Sequence, residues 1–442
     1  MLLSIRMRDL SFEAHPANPM TCFKIRVCFA VLWLVGATGC AQQDALLRAT
    51  TPSRAEPSWS QTDDGPSGVR LLGWGEVVLS NGLVLGVGQA KGEMSSIGFV
   101  FRPGLNRWER TPLVPGVIAL GGHLVAQPDG QALGFGLARS ERQTVAVKFD
   151  SAKNEWRRAG MLPEPSVDTI GHDVVRLTNS RFLLLGRGGA RNGWIYNADT
   201  ETWAQTATLP VEVSEVLLVI PLGDRRVFAL FGDKTRVQGW IGMVYDAALD
   251  SWLPGRASAT TMRGEPDSVV RLRDGSILLL GFQQYPTIAF APVIFRPDAM
   301  VWESAGQLPR GEFLEARSLT LLPNQNVLAL QRGVAGGKMR AILFDPVRRT
   351  WRVDSDLPDG YSGGAILKTR QDGSVCAILF RSNVLRDELV RAPSDGAWTM
   401  VGALPPGSVA WGPGGTADTM LLYTGPNDGG DSTIDGALLF RP

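Results

Sequence analysis

Phe344-Asp345-Pro346-Val347-Arg348-Arg349-Thr350-Trp351, followed by Leu357-Pro358, is one copy of a unit that recurs along the chain. An aromatic residue is followed seven positions later by Trp, and the Trp seven positions later by Pro. The first step holds for Phe101/Trp108, Phe149/Trp156, Tyr196/Trp203, Tyr245/Trp252, Phe295/Trp302 and Phe344/Trp351. The second holds for Trp108/Pro115, Trp156/Pro163, Trp203/Pro210, Trp302/Pro309, Trp351/Pro358 and Trp398/Pro405, and fails after Trp252, where Ala259 stands. Two half-copies remain: Trp59 with Pro66 but no aromatic before it, and Phe440-Arg441-Pro442 with no Trp after it.

The Trp residues at 59, 108, 156, 203, 252, 302, 351 and 398 are separated by 49, 48, 47, 49, 50, 49 and 47 residues. A period of this length points to a propeller or a solenoid. The interior of each unit decides between them. Residues 265–309 hold Ser268-Val269-Val270-Arg271-Leu272, the turn Asp274-Gly275, Ile277-Leu278-Leu279-Leu280-Gly281, then Pro292-Val293-Ile294-Phe295 and a short run around Trp302. Asn81-Gly82, Asp129-Gly130 and Asp372-Gly373 occupy the place of Asp274-Gly275 in their own units. Short β-rich runs split by such dipeptides are hairpins, so each unit is expected to form four antiparallel strands, one propeller blade. An open ring would leave two sheet edges exposed to pairing. The half-copies are therefore expected to join, Trp59 on the outer strand of a blade whose other three strands lie in 408–442. This gives an all-β propeller of eight blades, with seven blades and an irregular extra sheet as the alternative.

The pattern resembles kelch-repeat β-propellers of the galactose oxidase superfamily. There a glycine pair precedes an aromatic-Asp dipeptide, a Trp and a Leu-Pro. Phe149-Asp150…Trp156…Leu162-Pro163, Tyr245-Asp246…Trp252 and Phe344-Asp345…Trp351…Leu357-Pro358 carry the likeness, across residues 58–442. The glycine pair is degraded: Gly188-Gly189 is near its place, and Gly86-Val87-Gly88, Gly134-Phe135-Gly136 and Gly281 stand in elsewhere.

Residues 1–39 read as an export segment: Lys24 and Arg26, the apolar run Val27 to Val35, then Gly36-Ala37-Thr38-Gly39-Cys40. The apolar run is too short for a spanning helix. Cys40 after small residues resembles the bacterial lipobox, with Ala37 where that motif prefers Leu. The resemblance implies lipidation at Cys40, anchoring by its acyl chains and, with Ala41 next, delivery toward the outer membrane, facing periplasm or cell surface. Residues 40–57 read as a polar tether. Of four cysteines, Cys22 and Cys28 lie in the export segment and Cys40 would carry lipid, so Cys376 is left without a disulfide partner in the mature chain.

Formal net charge is +1 and basic residues are scattered, which gives nucleic acid no footprint. Propellers bind on the loop-rich face, at the mouth of the central channel. Asp168, Glu215, Asp267 and Glu315 recur at the start of successive innermost strands, and Arg176, Arg271 and Arg317 follow on those strands. Such a half-ring of carboxylates could hold Ca²⁺, accept hydrogen bonds from sugar hydroxyls, or simply pair with the arginines around a wet tunnel. Lys91, Arg139, Arg142, Arg187, Arg191, Lys234, Arg236 and Lys338 lie on the loops between second and third strands.

Catalysis finds little support. Copper oxidases of the galactose oxidase kind need two His, two Tyr and a Tyr-linked Cys. Here only His123 and His172 follow the export segment, in adjacent repeats, no Tyr-His dipeptide occurs, and Cys376 is the one candidate thiol. A full sialidase box does not occur; Ser394-Asp395-Gly396-Ala397-Trp398 only mimics it. The expected function is a non-catalytic, monomeric binding propeller that recognises a glycan or a protein in the envelope. The alternative is a sugar-active, epimerase-like enzyme using Glu215 or Asp267 with Arg271.

Overall fold

A computed structural model of the chain describes residues 58–442, apart from 64, 91–94, 119, 121–123, 139, 142, 164–172, 187–191, 234–239, 256–265, 282–291, 310–312, 315–318, 333–337, 359–360, 362–364, 371, 382–383, 393–395, 404–410, 415–419, 425–432, 435 and 442. The export segment, the tether and Cys40 therefore lie outside the described residues, as do His123 and His172.

Every element among the described residues is a β-strand, and the strands form a propeller-like succession of antiparallel sheets. The fourth sheet shows the plan: Val213–Gly223, Arg226–Asp233, Trp240–Asp246 and Ser251–Pro254 pair in chain order. Eight such sheets of four or five strands are described, numbered here along the chain. The eighth takes its outermost strand from the other end of the sequence: Ser58–Gln61 pairs with Gly436–Arg441.

The aromatic-to-Trp step of seven is the register of the hairpin between third and fourth strands. Phe101 lies opposite Trp108, Phe149 opposite Trp156, Tyr196 opposite Trp203, Tyr245 opposite Trp252, Phe295 opposite Trp302 and Phe344 opposite Trp351. Ring centroids in these pairs stand 4.8–5.0 Å apart. The residue two before each Trp is left-handed: Asn106, Asn154, Glu201, Asp250, Met300 and Arg349 have φ of 46–56°, and Gly396 has 74° before Trp398. That conformation closes a hairpin loop with a bulge. The Asp after the aromatic residue secures the same turn. Asp150 Oδ1 accepts from the amides of Ala152 and Lys153, Asp246 Oδ1 from Ala248 and Leu249, and Asp345 Oδ1 from Val347 and Arg348.

The core sits between sheets rather than within them. One cluster joins Leu85, Val87 and Val100 of the first sheet to Val145, Val147 and Phe149 of the second. Corresponding clusters join the second sheet to the third, and so on to the sixth and seventh. A further cluster joins the eighth to the first, through Leu421, Ala437 and Leu439 against Val69, Phe101 and Trp108. A short strand not anticipated from sequence, Thr433–Ile434, leaves the eighth sheet and pairs with Val69 and Arg70 of the first. Cys376 is fully buried in the seventh sheet.

Four of these Trp residues also tie their sheet to the one before. The indole N–H of Trp156 donates to Thr111 Oγ1 at 2.9 Å and that of Trp108 to Thr62 Oγ1 at 3.1 Å. The Trp252 indole reaches Thr206 Oγ1 at 3.5 Å, and that of Trp351 donates to the Ala305 carbonyl at 2.9 Å. In all four the acceptor lies three residues after the preceding Trp.

At Trp398 the aromatic partner is replaced. Its cross-strand partner is Arg391, whose Nε and Nη2 donate to Asp354 Oδ2 at 3.1 and 2.8 Å. Asp354 stands three residues after Trp351, the place of Thr62, Thr111 and Thr206 after their own Trp residues. Both side chains are nearly buried, and a buried guanidinium requires such a partner. The sequence motif is broken here, and the fold accommodates the break by changing both sides of the contact.

Candidate functional site

The innermost strands begin irregularly, and two of the expected acids sit on those irregularities. Glu215 lies in the bulge between Val213, opposite Asp233, and Val216, opposite Phe231. Asp267 lies in the bulge between Pro266, opposite Gly281, and Ser268, opposite Leu280. An extra residue at a bulge bends the strand and re-aims its side chain. Gly232 makes room for the first of these: a Cβ there would come within 2.6 Å of Ser214 Oγ and 3.5 Å of Glu215 Cγ. Glu215 is exposed and has no hydrogen bond or ion pair with any described residue. The backbone of Asp267 is described but its side chain is not, and Asp168, Glu315 and Arg317 lie outside the described residues. Glu315 immediately follows the short strand Phe313–Leu314, which is separate from the inner strand Thr320–Leu321 that resumes after it.

The two described arginines stand at the other ends of their strands. Arg271 ends its inner strand, opposite Ile277, and Arg176 ends its own, opposite Phe182. Four residues of strand separate Asp267 from Arg271, about 13 Å at roughly 3.3 Å per residue. Arg271 reaches across to the fourth sheet, donating from Nη1 to the Pro221 carbonyl at 3.2 Å and from Nη2 to that of Leu222 at 2.5 Å. The Arg271 guanidinium thus bonds the fourth sheet at the end of Val213–Gly223 remote from Glu215. Spacing of a few residues on a helix would bring the groups together, but on a strand it carries them to opposite ends of that strand.

Arg176 occupies the place equivalent to Arg271 in the third sheet but behaves differently. Its guanidinium lies 5.7 Å from the centre of the Phe182 ring. It is exposed, yet the surrounding protein desolvates it enough to lower its pKa from the usual arginine value. The far ends of the inner strands are otherwise tied sheet to sheet: Thr320 and Thr369 share a hydroxyl–hydroxyl bond of 2.7 Å, and Thr369 Oγ1 donates to the Leu321 carbonyl at 3.0 Å.

The strongest charge cluster is at the outer side, between the second and third sheets. Glu201 accepts from Lys148 Nζ at 2.9 Å and from Arg157 Nη1 and Nη2 at 3.1 and 2.5 Å. The Arg157 bonds, then those of Lys148, hold its pKa down at about 2. Tyr196 and Tyr245 are pushed well above the ordinary phenol range, first by burial. These groups brace the packing and do not face the bulges.

Among the described residues no three His, Cys, Asp or Glu side chains converge as a metal site. The Ca²⁺ reading therefore rests on acids of which only the Glu215 side chain is described. Chemically, the bulges offer hydrogen-bond acceptors to a ligand rather than an assembled acid–base pair. The fold places the chain among propeller-like all-β proteins. No known family model matches it, and no curated protein does.

Proposed function

We propose that this chain is a lipid-anchored binding module of the bacterial envelope, a closed kelch-like propeller of eight blades. It recognises a glycan or a protein through the face where the innermost strands begin. The eighth blade is completed by Ser58–Gln61, and the seam beside it carries a Trp-to-Thr bond, Trp108 to Thr62, of the kind made by Trp156 and Trp252. Cys40 would carry the lipid and residues 40–57 the tether.

The observation that carries the binding reading is Glu215, an exposed carboxylate on a bulge, without a partner among the described residues. Asp267 stands on a corresponding bulge of the next sheet. Asp168 and Glu315 extend the series by sequence position, giving a half-ring of acceptors suited to sugar hydroxyls, to backbone or lysine donors of a protein, or to Ca²⁺. The sugar-active alternative needs one carboxylate beside a cation, and Arg271 is engaged elsewhere.

A thermal-shift screen of the full protein against sugars and divalent cations tests the reading, since a ligand that binds only the folded state raises Tm. A shift that disappears in Glu215→Gln supports it. A shift unchanged by that substitution places the site elsewhere and overturns this assignment.

A further inference from the structure

The strand Ser58–Gln61 stands in the eighth sheet as Arg107–Leu113 stands in the first. Ser58 is opposite Arg441 and Trp59 opposite Phe440, matching Arg107 opposite Arg102 and Trp108 opposite Phe101. Residue 57 therefore precedes the sheet where the first sheet has its third-to-fourth turn, residues 103–106. In a four-stranded meander the first-to-second and third-to-fourth turns share one face, and the remaining connections share the other. The chain preceding Ser58 thus leaves from the tight-turn face, opposite the face where Glu215 begins its strand.

That same face carries the three most exposed large apolar side chains among the described residues: Val347 at 90% exposure, Leu249 at 72% and Leu105 at 66%. Each is at the tip of a third-to-fourth turn, in the sixth, fourth and first sheets. Three tips spread around a ring define a plane. We propose that this face rests on the bilayer that holds the N-terminal anchor, with Leu105, Leu249 and Val347 entering the headgroup region and the Glu215 face turned away from the membrane. The inference rests on the anchored-propeller reading above. The sequence fits it: only 17 residues separate Cys40 from Ser58, which limits how far the face can stand from the anchor. Partial burial of a few apolar side chains at the interface then selects the orientation.

The test uses the full-length protein isolated with its membrane anchor and reconstituted into phosphatidylethanolamine/phosphatidylglycerol vesicles containing nitroxide-labelled lipid. An environment-sensitive fluorophore is attached at Leu249→Cys or Val347→Cys, and at Ser140→Cys or Lys338→Cys on the opposite face as controls. A blue-shifted emission quenched by the labelled lipid at 249 and 347, and absent at 140 and 338, is the expected result. Anchoring is read separately, from membrane fractionation of wild type and Cys40→Ser. Wild-type chain found free of membrane sinks the anchor and this inference together. Membrane-held chain whose labels at 249 and 347 report water, or are shielded from lipid and from aqueous iodide alike, overturns this inference alone.

Discussion

Trp59 and Phe440, from opposite ends of the sequence, are cross-strand partners in the register that joins Trp108 to Phe101 and Trp351 to Phe344. The two halves of one motif, far apart in sequence, meet in the eighth sheet. The seam is fastened beyond that strand by Thr62, whose hydroxyl donates to the Ala437 carbonyl and accepts from the Trp108 indole, both at about 3 Å. Thr62→Val keeps the shape and removes both bonds. We expect a loss of about 1–3 kcal/mol, measured as a lower urea midpoint at unchanged slope. No loss would mean that the seam does not limit stability.

Trp203 provides the reverse experiment. Its indole N–H is buried without a partner, because Ala159 stands where Thr62, Thr111 and Thr206 supply hydroxyls. The Ala159 carbonyl meanwhile accepts from the Tyr196 hydroxyl. Ala159→Ser should raise stability by about 0.5–1.5 kcal/mol, read from the same unfolding curves; a fall would show that the buried site has no room for the hydroxyl.

Arg391 and Asp354 should behave as a unit. Removing either leaves the other charged and nearly buried, so Asp354→Ala is expected to cost about 3–5 kcal/mol. The double variant Arg391→Phe/Asp354→Thr restores the motif of the other sheets and should be far less destabilised than the two single changes summed. A double-mutant cycle with no coupling would contradict the ion pair.

Glu201 sets an acid limit. Its pKa is lowered in the folded protein to about 2 from 4.5, so its contribution is fully present above pH 4.5 and is lost as pH falls toward 2. The carboxylate is partly solvent-exposed, which screens the gain to about 1 kcal/mol. Glu201→Gln should lower stability at pH 7 and flatten the fall in Tm below pH 4.5. An acid limb identical to wild type would remove Glu201 from that role.

Much of the framework was legible because the period-seven motif is itself a hairpin register: Phe344 and Trp351 must face each other if four residues turn between their strands. The sheet-to-sheet bonds were not legible, because their acceptors change from Thr111 to the Ala305 carbonyl while the geometry persists. Arg391 read as a lost motif, since its compensation lies at Asp354 in the neighbouring sheet. At the candidate site the recurrence of acids was visible at Glu215 and Asp267, but not the bulges that aim them. The bonds from Arg271 to the fourth sheet were not legible either, because closeness in sequence is not closeness in space along an extended strand.

Titration calorimetry of the best ligand from the sugar and cation screen against wild type, Glu215→Gln and Asp224→Asn tests the central claim most directly. Asp224 lies in the turn at the far end of the same strand. The account predicts a loss of about tenfold or more in affinity for Glu215→Gln, as for one charged hydrogen bond of roughly 1.5–3 kcal/mol, with Asp224→Asn unchanged. Equal affinity in all three proteins would contradict binding at the face where the innermost strands begin.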